Sequence, residues 1–291
     1  MVIRQLGNAG LALLSALSVA SPQDSVGAIR QAVTLRASFD EAVRADYGRG
    51  ELGLSTRFNH ETERNQFVFE KGFDSAVFRV AQNAGIVGSA LEARDLLPRN
   101  GRIFFPAQGN IAYRKGGWEG SVSVWLKTDP NTMLKSRFCD PVQITERGAS
   151  NGGLWFDFND SKPRDMRMGA FPAVRTGEKP VGEGDPSAPI IWLKGVGFKA
   201  DEWHHVAMTW SGFDTGRSGA RAALYVDSKL IGELRDRQIA MDWDLEKAGI
   251  YIAVGYIGLL DELAVFNRAL SPAEIALLFK RPGLLSNPTA P

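Results

Sequence analysis

Residues 258–275 read GLLDELAVFNRALSPAEI. Leu259 to Phe266 is a run rich in apolar residues and is predicted as a strand. The chain then changes character. Ser271 stands at an N-cap position, Pro272 at the first helical position and Glu274 three residues past the cap, which is a capping box. Ile275, Leu278 and Phe279 give the following turns an apolar face, and Pro282-Gly283 stops them. A helix is therefore predicted over Pro272 to Phe279. Working outward, strand patterns recur with turn residues between them. Ile250 to Val254 precedes. Lys229 to Leu234 and Ala222 to Val226 flank Asp227-Ser228, a two-residue hairpin connection. Trp203 to Trp210 reads WHHVAMTW. Met166 to Phe171, Gly153 to Phe158, Pro141 to Thr145, Ser121 to Lys127, Arg102 to Phe105, Ala76 to Val80, Phe67 to Phe69 and Thr34 to Asp40 extend the series towards the N-terminus. In Ser121 to Lys127, Val122, Val124 and Leu126 share one face and Ser121, Ser123 and Trp125 the other. In WHHVAMTW both faces carry apolar residues, as in a strand covered on both sides. His204 and His205 point oppositely there, so they form no two-histidine metal site, and a structural hydrogen bond is expected instead. About a dozen short strands with one helix predict an all-β sandwich or barrel. No fixed-period repeat argues for a propeller. Gly177 to Pro189 (GEKPVGEGDPSAP) is expected as a long surface loop within one domain.

Composition narrows the function. Among 291 residues, 34 Lys plus Arg balance 33 Asp plus Glu, a formal net charge of +1. That excludes the basic excess expected of a nucleic-acid partner. Hydrophobic residues at 44% and charged residues at 23% are those of a globular protein with an ample core. The single cysteine, Cys139, allows neither an internal disulfide nor a cysteine-rich zinc site, and reads as a buried hydrophobe. Residues 1–20 read as a signal peptide. Arg4 is the basic start, Leu6 to Val19 an apolar run too short to span a bilayer, and Ser18-Val19-Ala20 a small-residue cleavage site. The expected organisation is a signal peptide at 1–20, a linker at 21–33, one domain at 34–283 and a disordered tail at 284–291. The expected location is outside the cell or at its surface, by bacterial export, with no membrane span in the mature chain.

The quoted residues carry a resemblance. WHHVAMT at 203–209, ALYVD at 223–227 and the strand-to-helix run at 258–275 fall in the order of the laminin-G-like (concanavalin A-like) jelly-roll domain. That family reads W-x-H-V-A-x-T, then L-Y-V-D-G, then I-D-E-V-x-I-Y-N-R-A-L-S. Asn110-Ile111 with Ser121 to Leu126 is similar to its early core strand, and Thr34 to Asp40 to its opening strand. Ser228 stands where the family's turn has Gly, and Leu260 replaces the Ile before Asp261. The resemblance spans roughly 34 to 281. It implies two antiparallel sheets in a jelly-roll β-sandwich with one short C-terminal helix. It also implies carbohydrate binding, and a structural calcium where the first and last strands meet. The matching hard-oxygen residues are Asp40, Asp46 and Asp261, with Gly48 and Gly50 turning carbonyls towards the ion. The alternative reading has Asp261 accepting backbone N–H bonds and the other two aspartates in turns.

The family also includes glycoside hydrolases, which need two carboxylates at acid and nucleophile or base spacing. The E-x-D-x-x-E strand of the retaining enzymes of this fold is missing. The nearest approach, Trp155 to Asp160, offers only Asp157 on one face with Asn159. Neither a G-x-S-x-G elbow nor a phosphate-cradling loop occurs. Asp157-x-Asn159-x-Ser161 imitates the start of an EF-hand loop but lacks its later Gly and Glu. Sugar recognition would use exposed aromatics beside polar groups. Trp118 and Trp192, each near loop-like sequence, are the first candidates, ahead of Trp155, Trp243 and Tyr113. Trp125, Trp203 and Trp210 are expected in the core. The sequence thus predicts a secreted, non-catalytic carbohydrate-binding domain with a structural calcium. The alternatives are a structural or protein-binding surface module and a glycan-active hydrolase or lyase.

Overall fold

The structure, a computed structural model, describes residues 22–63 and 66–286. The expected signal peptide at 1–20 lies outside the described residues. Helix α1 (Pro22–Ala32) leads directly into β1 (Val33–Ala37). The next strands are β2 (Tyr47–Gly48), β3 (Ser55–Asn59), β4 (Phe67–Lys71), β5 (Phe78–Ala81), β6 (Ala90–Ala93), β7 (Arg102–Pro106) and β8 (Trp118–Lys127). Then come β9 (Cys139–Thr145), β10 (Gly153–Phe158), β11 (Met166–Phe171), β12 (Ile190–Leu193) and β13 (His204–Phe213). The hairpin β14 (Ala220–Val226) and β15 (Lys229–Arg237), then β16 (Gly249–Val254) and β17 (Gly258–Phe266), lead to helix α2 (Pro272–Lys280).

The strands form two antiparallel sheets, the predicted all-β sandwich. The first runs β15-β14-β13-β8-β17-β1-β2, with β6 and β5 continuing beside β17. The second runs β12-β11-β10-β9-β16-β7-β3-β4. Alternation decides what faces what. Val122, Val124 and Leu126 of β8 and Val206, Met208 and Trp210 of β13 meet Val142, Ile144, Leu154 and Phe156 of the second sheet in one core. The Asp227-Ser228 turn has positive φ at both residues (48° and 63°), as a tight hairpin of the favoured twist demands.

The first sheet is buried on its other face too. Ile29, Ala32 and Val33 join Ala207, Tyr225, Phe266, Ile275 and Leu278 in a second apolar cluster. Phe279 of α2 stacks on Trp125 at 5.6 Å. The capping box of α2 forms as predicted. Two expectations are corrected here. The stretch at 21–33 holds a helix that covers the sheet, not a linker. Leu284 and Leu285 of the expected tail are 2% exposed, because the same cluster takes them in.

Candidate functional site

The second sheet turns a row of polar and aromatic side chains away from the shared core. The middle of that row is itself buried (Gln143, Trp155, Tyr251), and its exposed aromatics, Phe67, Phe69, Phe138 and Trp192, stand around it. Register sets them in rows. Phe104 of β7 lies opposite Tyr251 of β16, Tyr251 opposite Gln143 of β9, Gln143 opposite Trp155 of β10, and Trp155 opposite Gly169 of β11. Beside this row, Arg57 of β3 lies opposite Arg102 of β7. Farther along, Asp157 lies opposite Arg167 and Arg167 opposite Trp192 of the edge strand β12. A bulge between the Phe156 and Phe158 pairings sets Asp140-Pro141 against Asp157. Pro141 is tolerated where the ladder is broken.

One end of this face is an ion-pair and aromatic cluster. Arg167 Nε donates to Asp157 Oδ1 at 2.9 Å, and a second Arg167 nitrogen meets Asp157 Oδ2. Glu183, from the exposed 173–189 loop, adds an oxygen 2.9 Å from Arg167 Nη2, so that loop leans over this end. The guanidinium carbon lies 5.2 Å from the Trp155 ring centre, 5.1 Å from Trp192 and 5.0 Å from Phe138. Lys194 Nζ sits 3.8 Å from the Trp192 ring centre. Trp192 is 38% exposed and presents its ring to solvent. Burial raises the Asp157 carboxyl to about 6 despite Arg167. Burial and then repulsion from Asp157 push Asp140 well above the usual carboxylate range.

The other end is basic and aromatic. The Arg57 guanidinium lies between two rings, 4.2 Å from Phe67 and 5.0 Å from Tyr251. Arg102 Nη1 donates to Gln143 Oε1 at 3.2 Å. Phe104 packs on Tyr251 at 5.0 Å and Phe69 on Phe104 at 6.1 Å. Burial raises the Tyr251 phenol, while the neighbouring arginines oppose that. A cavity of about 340 Å³ opens beside Arg102, lined also by Arg137, Phe138, Val254 and Gly255.

The predicted site residues separate. Trp192 lands on the outer face. Trp118 does not: it is 1% exposed inside the sandwich, 4.8 Å from Trp210, 5.0 Å from Trp243 and 5.4 Å from Tyr113. Gly116 and Gly117, with φ of 87° and 151°, turn the chain so that β8 starts at Trp118 on the core side. Trp243 is also buried, its Nε1 donating to the Gly152 carbonyl at 2.7 Å.

The three aspartates assigned to a metal are divided as well. Asp46 Oδ2 accepts from Ser38 N at 2.7 Å and from Arg36 Nη1 at 3.2 Å. Asp40 Oδ1 accepts from Ser89 N at 2.8 Å. Asp261 is fully buried, and accepts from Glu262 N at 2.7 Å and from Val87 N at 3.2 Å. Gly50 is spent on a close approach to the Gln108 carbonyl, 2.1 Å from where a Cβ would stand. Among the described residues, no three His, Cys, Asp or Glu side chains are grouped to hold a metal ion. A cradle of oxygens does exist at the 85–89 loop. The carbonyl oxygens of Ser89 and Val87 and Oδ2 of Asp261 lie 2.3, 2.5 and 2.6 Å from the Cβ position of Gly85. Burial lifts the Asp261 carboxyl to about 8, and the Glu262 charge adds to this.

Two nucleophile candidates are inert. Burial pushes the Cys139 thiol up to about 12. Ser123 Oγ lies 2.7 Å from His205 Nε2, but both residues are buried beneath α2, and Asp227 serves the His204 ring instead, at 2.8 Å. Burial lowers the His205 imidazole to about 4 and keeps it neutral. This is the structural hydrogen bonding expected of the histidine pair.

Residues 110–276, more than half the chain, match the family model of the concanavalin A-like lectin/glucanases superfamily. The chain belongs to this superfamily. Comparison with curated proteins gave no match. Among solved structures, the chain is similar to the botulinum neurotoxin serotype D binding domain, with 14% identity and a TM-score of 0.53 over 89% of this chain and 53% of that one. The serotype D ligand-binding domain in complex with N-acetylneuraminic acid aligns at 13% identity and TM-score 0.53, over 88% and 52%. The chain thus spans about half the length of these toxin domains. Domain 4 of the arabinanase AbnA from Geobacillus stearothermophilus, in complex with arabinotriose, aligns at 16% identity and TM-score 0.49 over 84% and 97%. At these identities the likeness concerns the superfamily fold. No helix among the described residues is long and apolar enough to cross a membrane.

Proposed function

We propose that the chain is an exported, non-catalytic carbohydrate-binding domain that uses the outer face of its second sheet. The observation that carries this reading is Trp192, exposed on the edge strand with Arg167 and Lys194 at its ring and Asp157 and Glu183 behind. A sugar needs an apolar ring to stack on and polar groups to meet its hydroxyls, and this edge supplies both. Calcium belongs to the proposal as a structural ion. Asp261 with Asp40 and the Val87 and Ser89 carbonyls would hold it, and a divalent charge would compensate a buried carboxylate that otherwise meets only amides.

The experiment is depletion of the purified chain by a panel of soluble and insoluble polysaccharides, with calcium or with chelator, while released reducing ends are measured. The expected result is depletion by one polymer class without release. Trp192→Ala should weaken that binding about tenfold, equivalent to about 1.4 kcal/mol. Depletion by no polymer would turn the reading towards a protein-binding surface module. A glycan-active reading has one foothold, the neighbouring carboxylates Asp140 and Asp157 with raised pKa values. Release of reducing ends that Asp157→Asn abolishes would establish it.

A further inference from the structure

Arg57 and Arg102 face each other directly across β3 and β7 on the outer side of the second sheet. Like charges opposed in a ladder destabilise it. Arg57 is only 6% exposed, so water screens little of this cost. No carboxylate forms an ion pair with either arginine among the described residues: Arg57 meets the Phe67 and Tyr251 rings, and Arg102 meets the Gln143 amide oxygen. The field of Asp140 reaches Arg102 without ion-pair contact. Two further donors are buried and unpartnered here, Nε of Arg57 and Nε2 of Gln143. Gln143 is fully buried, and its amide oxygen is turned to Arg102, which aims its NH2 group away from that bond. Buried donors without acceptors are rare, because each forfeits its hydrogen bond to water. Three donor-bearing side chains therefore converge with no ion-paired carboxylate supplied by the chain: the guanidinium groups of Arg57, whose Nε is orphaned, and Arg102, and the orphaned amide of Gln143. The cavity beside Arg102, with Phe138 in its wall, reaches the cluster from one side, and the exposed ring of Phe67 lies over Arg57 on the other.

We infer that this cluster binds the carboxylate of an acidic sugar, a hexuronate unit within a polysaccharide. A planar carboxylate accepts two parallel bonds from a guanidinium fork, and its charge relieves the opposition of Arg57 and Arg102. The exposed rings of Phe67 and Phe138, beside the arginines, suit the apolar face of a pyranose. The inference rests on the carbohydrate-binding reading and names its ligand class. It also gives Arg57 and Arg102 a function for which the fold itself has no need.

The test compares polygalacturonate, its fully methyl-esterified form, a neutral glucan and a sulfated galactan, using affinity electrophoresis of the whole chain. Polygalacturonate should retard the protein at least tenfold more strongly than the ester, which keeps the ring and loses the charge. Arg102→Gln should remove that difference. In the ligand-free state Arg102→Gln should melt at the same temperature as the parent or higher, since it removes an uncompensated like-charge pair. A structural arginine would give the opposite. A galacturonate oligomer should raise the melting temperature of the parent and leave the variant unmoved. Equal retardation by polygalacturonate and its ester, or by the neutral glucan alone, would overturn the acidic-sugar assignment and leave the binding reading standing. Equal retardation by the sulfated galactan would overturn the carboxylate in favour of a general polyanion site. Retardation by no polymer would overturn both readings.

Discussion

Gly169 has no room for a side chain, because the Trp155 ring lies across it and a Cβ would stand 2.3 Å from Cζ2. That contact is how a large, buried indole lies flat on the sheet beside Phe171, 5.9 Å away. Gly169→Ala should therefore displace Trp155 and cost about 1–3 kcal/mol, the usual penalty for overpacking, read by urea denaturation with tryptophan fluorescence. The same scale explains which tryptophans were legible. Trp118 has the parity of Val122 and Val124, so period two alone assigns it to the core once β8 is known to start there. Gly116-Gly117 made that start look like a loop. Trp192 sits in a four-residue strand whose flanks are loops, and its exposure followed from loop proximity rather than from any pattern. Asp140 carried no signal at all, since it meets Asp157 only through a bulge at Pro141.

Among the elements, α2 announced itself through Ser271, Pro272 and Glu274, which act on their own backbone neighbours. Helix α1 did not. Its sequence holds Gly27 and presents just Val26 and Ile29 at helical spacing, and its stability comes from the sheet it covers. Ile29 is fully buried there. Ile29→Ala should cost about 3 kcal/mol, and a chain begun at residue 34 should lose more, both measured as a fall in denaturation midpoint. The strands missed by pattern, β2, β3, β6 and β12, are short. Alternation over two to five residues does not stand out, and pairing across the sheet holds them. Of the strands found by pattern, β8 through β11, β13, β14, β16 and β17 lie inside the two sheets and share the core, while β1, β4, β5, β7 and the edge strand β15 were found as well.

At the scale of the molecule, buried ionisable groups make stability depend on pH in a way that separates two regions. His205 has its pKa lowered to about 4, so its contribution is present at neutral pH and is lost as pH falls from 6.5 towards 4. Asp261 has its pKa raised to about 8, so its contribution is present at low pH and is lost as pH rises through 8. Asp140 and Glu262, both raised, act in the same direction. In chelator, the melting temperature should therefore fall between pH 6.5 and 8, and Asp261→Asn should flatten that slope. Calcium should raise the parent's melting temperature most at the high end of the window and leave the variant unchanged. A parent slope that is flat in chelator would count against the buried Asp261. The resemblance named Asp40 and Asp261 together; the 85–89 loop, in a third distant segment, carried no sign that it would meet them. The outer side of the second sheet likewise draws on residues from 57 to 251, joined by register alone.

Arg30 of α1 donates to the Leu284 carbonyl at 3.0 Å, so the two ends of the described chain are fastened together over the helix-covered sheet. The outer side of the second sheet, with Trp192 at its edge, is on the opposite side of the sandwich. A neighbour joined at either end would thus be tethered from behind, and a long polymer could run along the front without threading past the attachment point. The same adjacency makes the fold a natural cassette. Its ends can be stitched together and the chain reopened elsewhere, for instance in the exposed 173–189 loop, with both sheets kept whole.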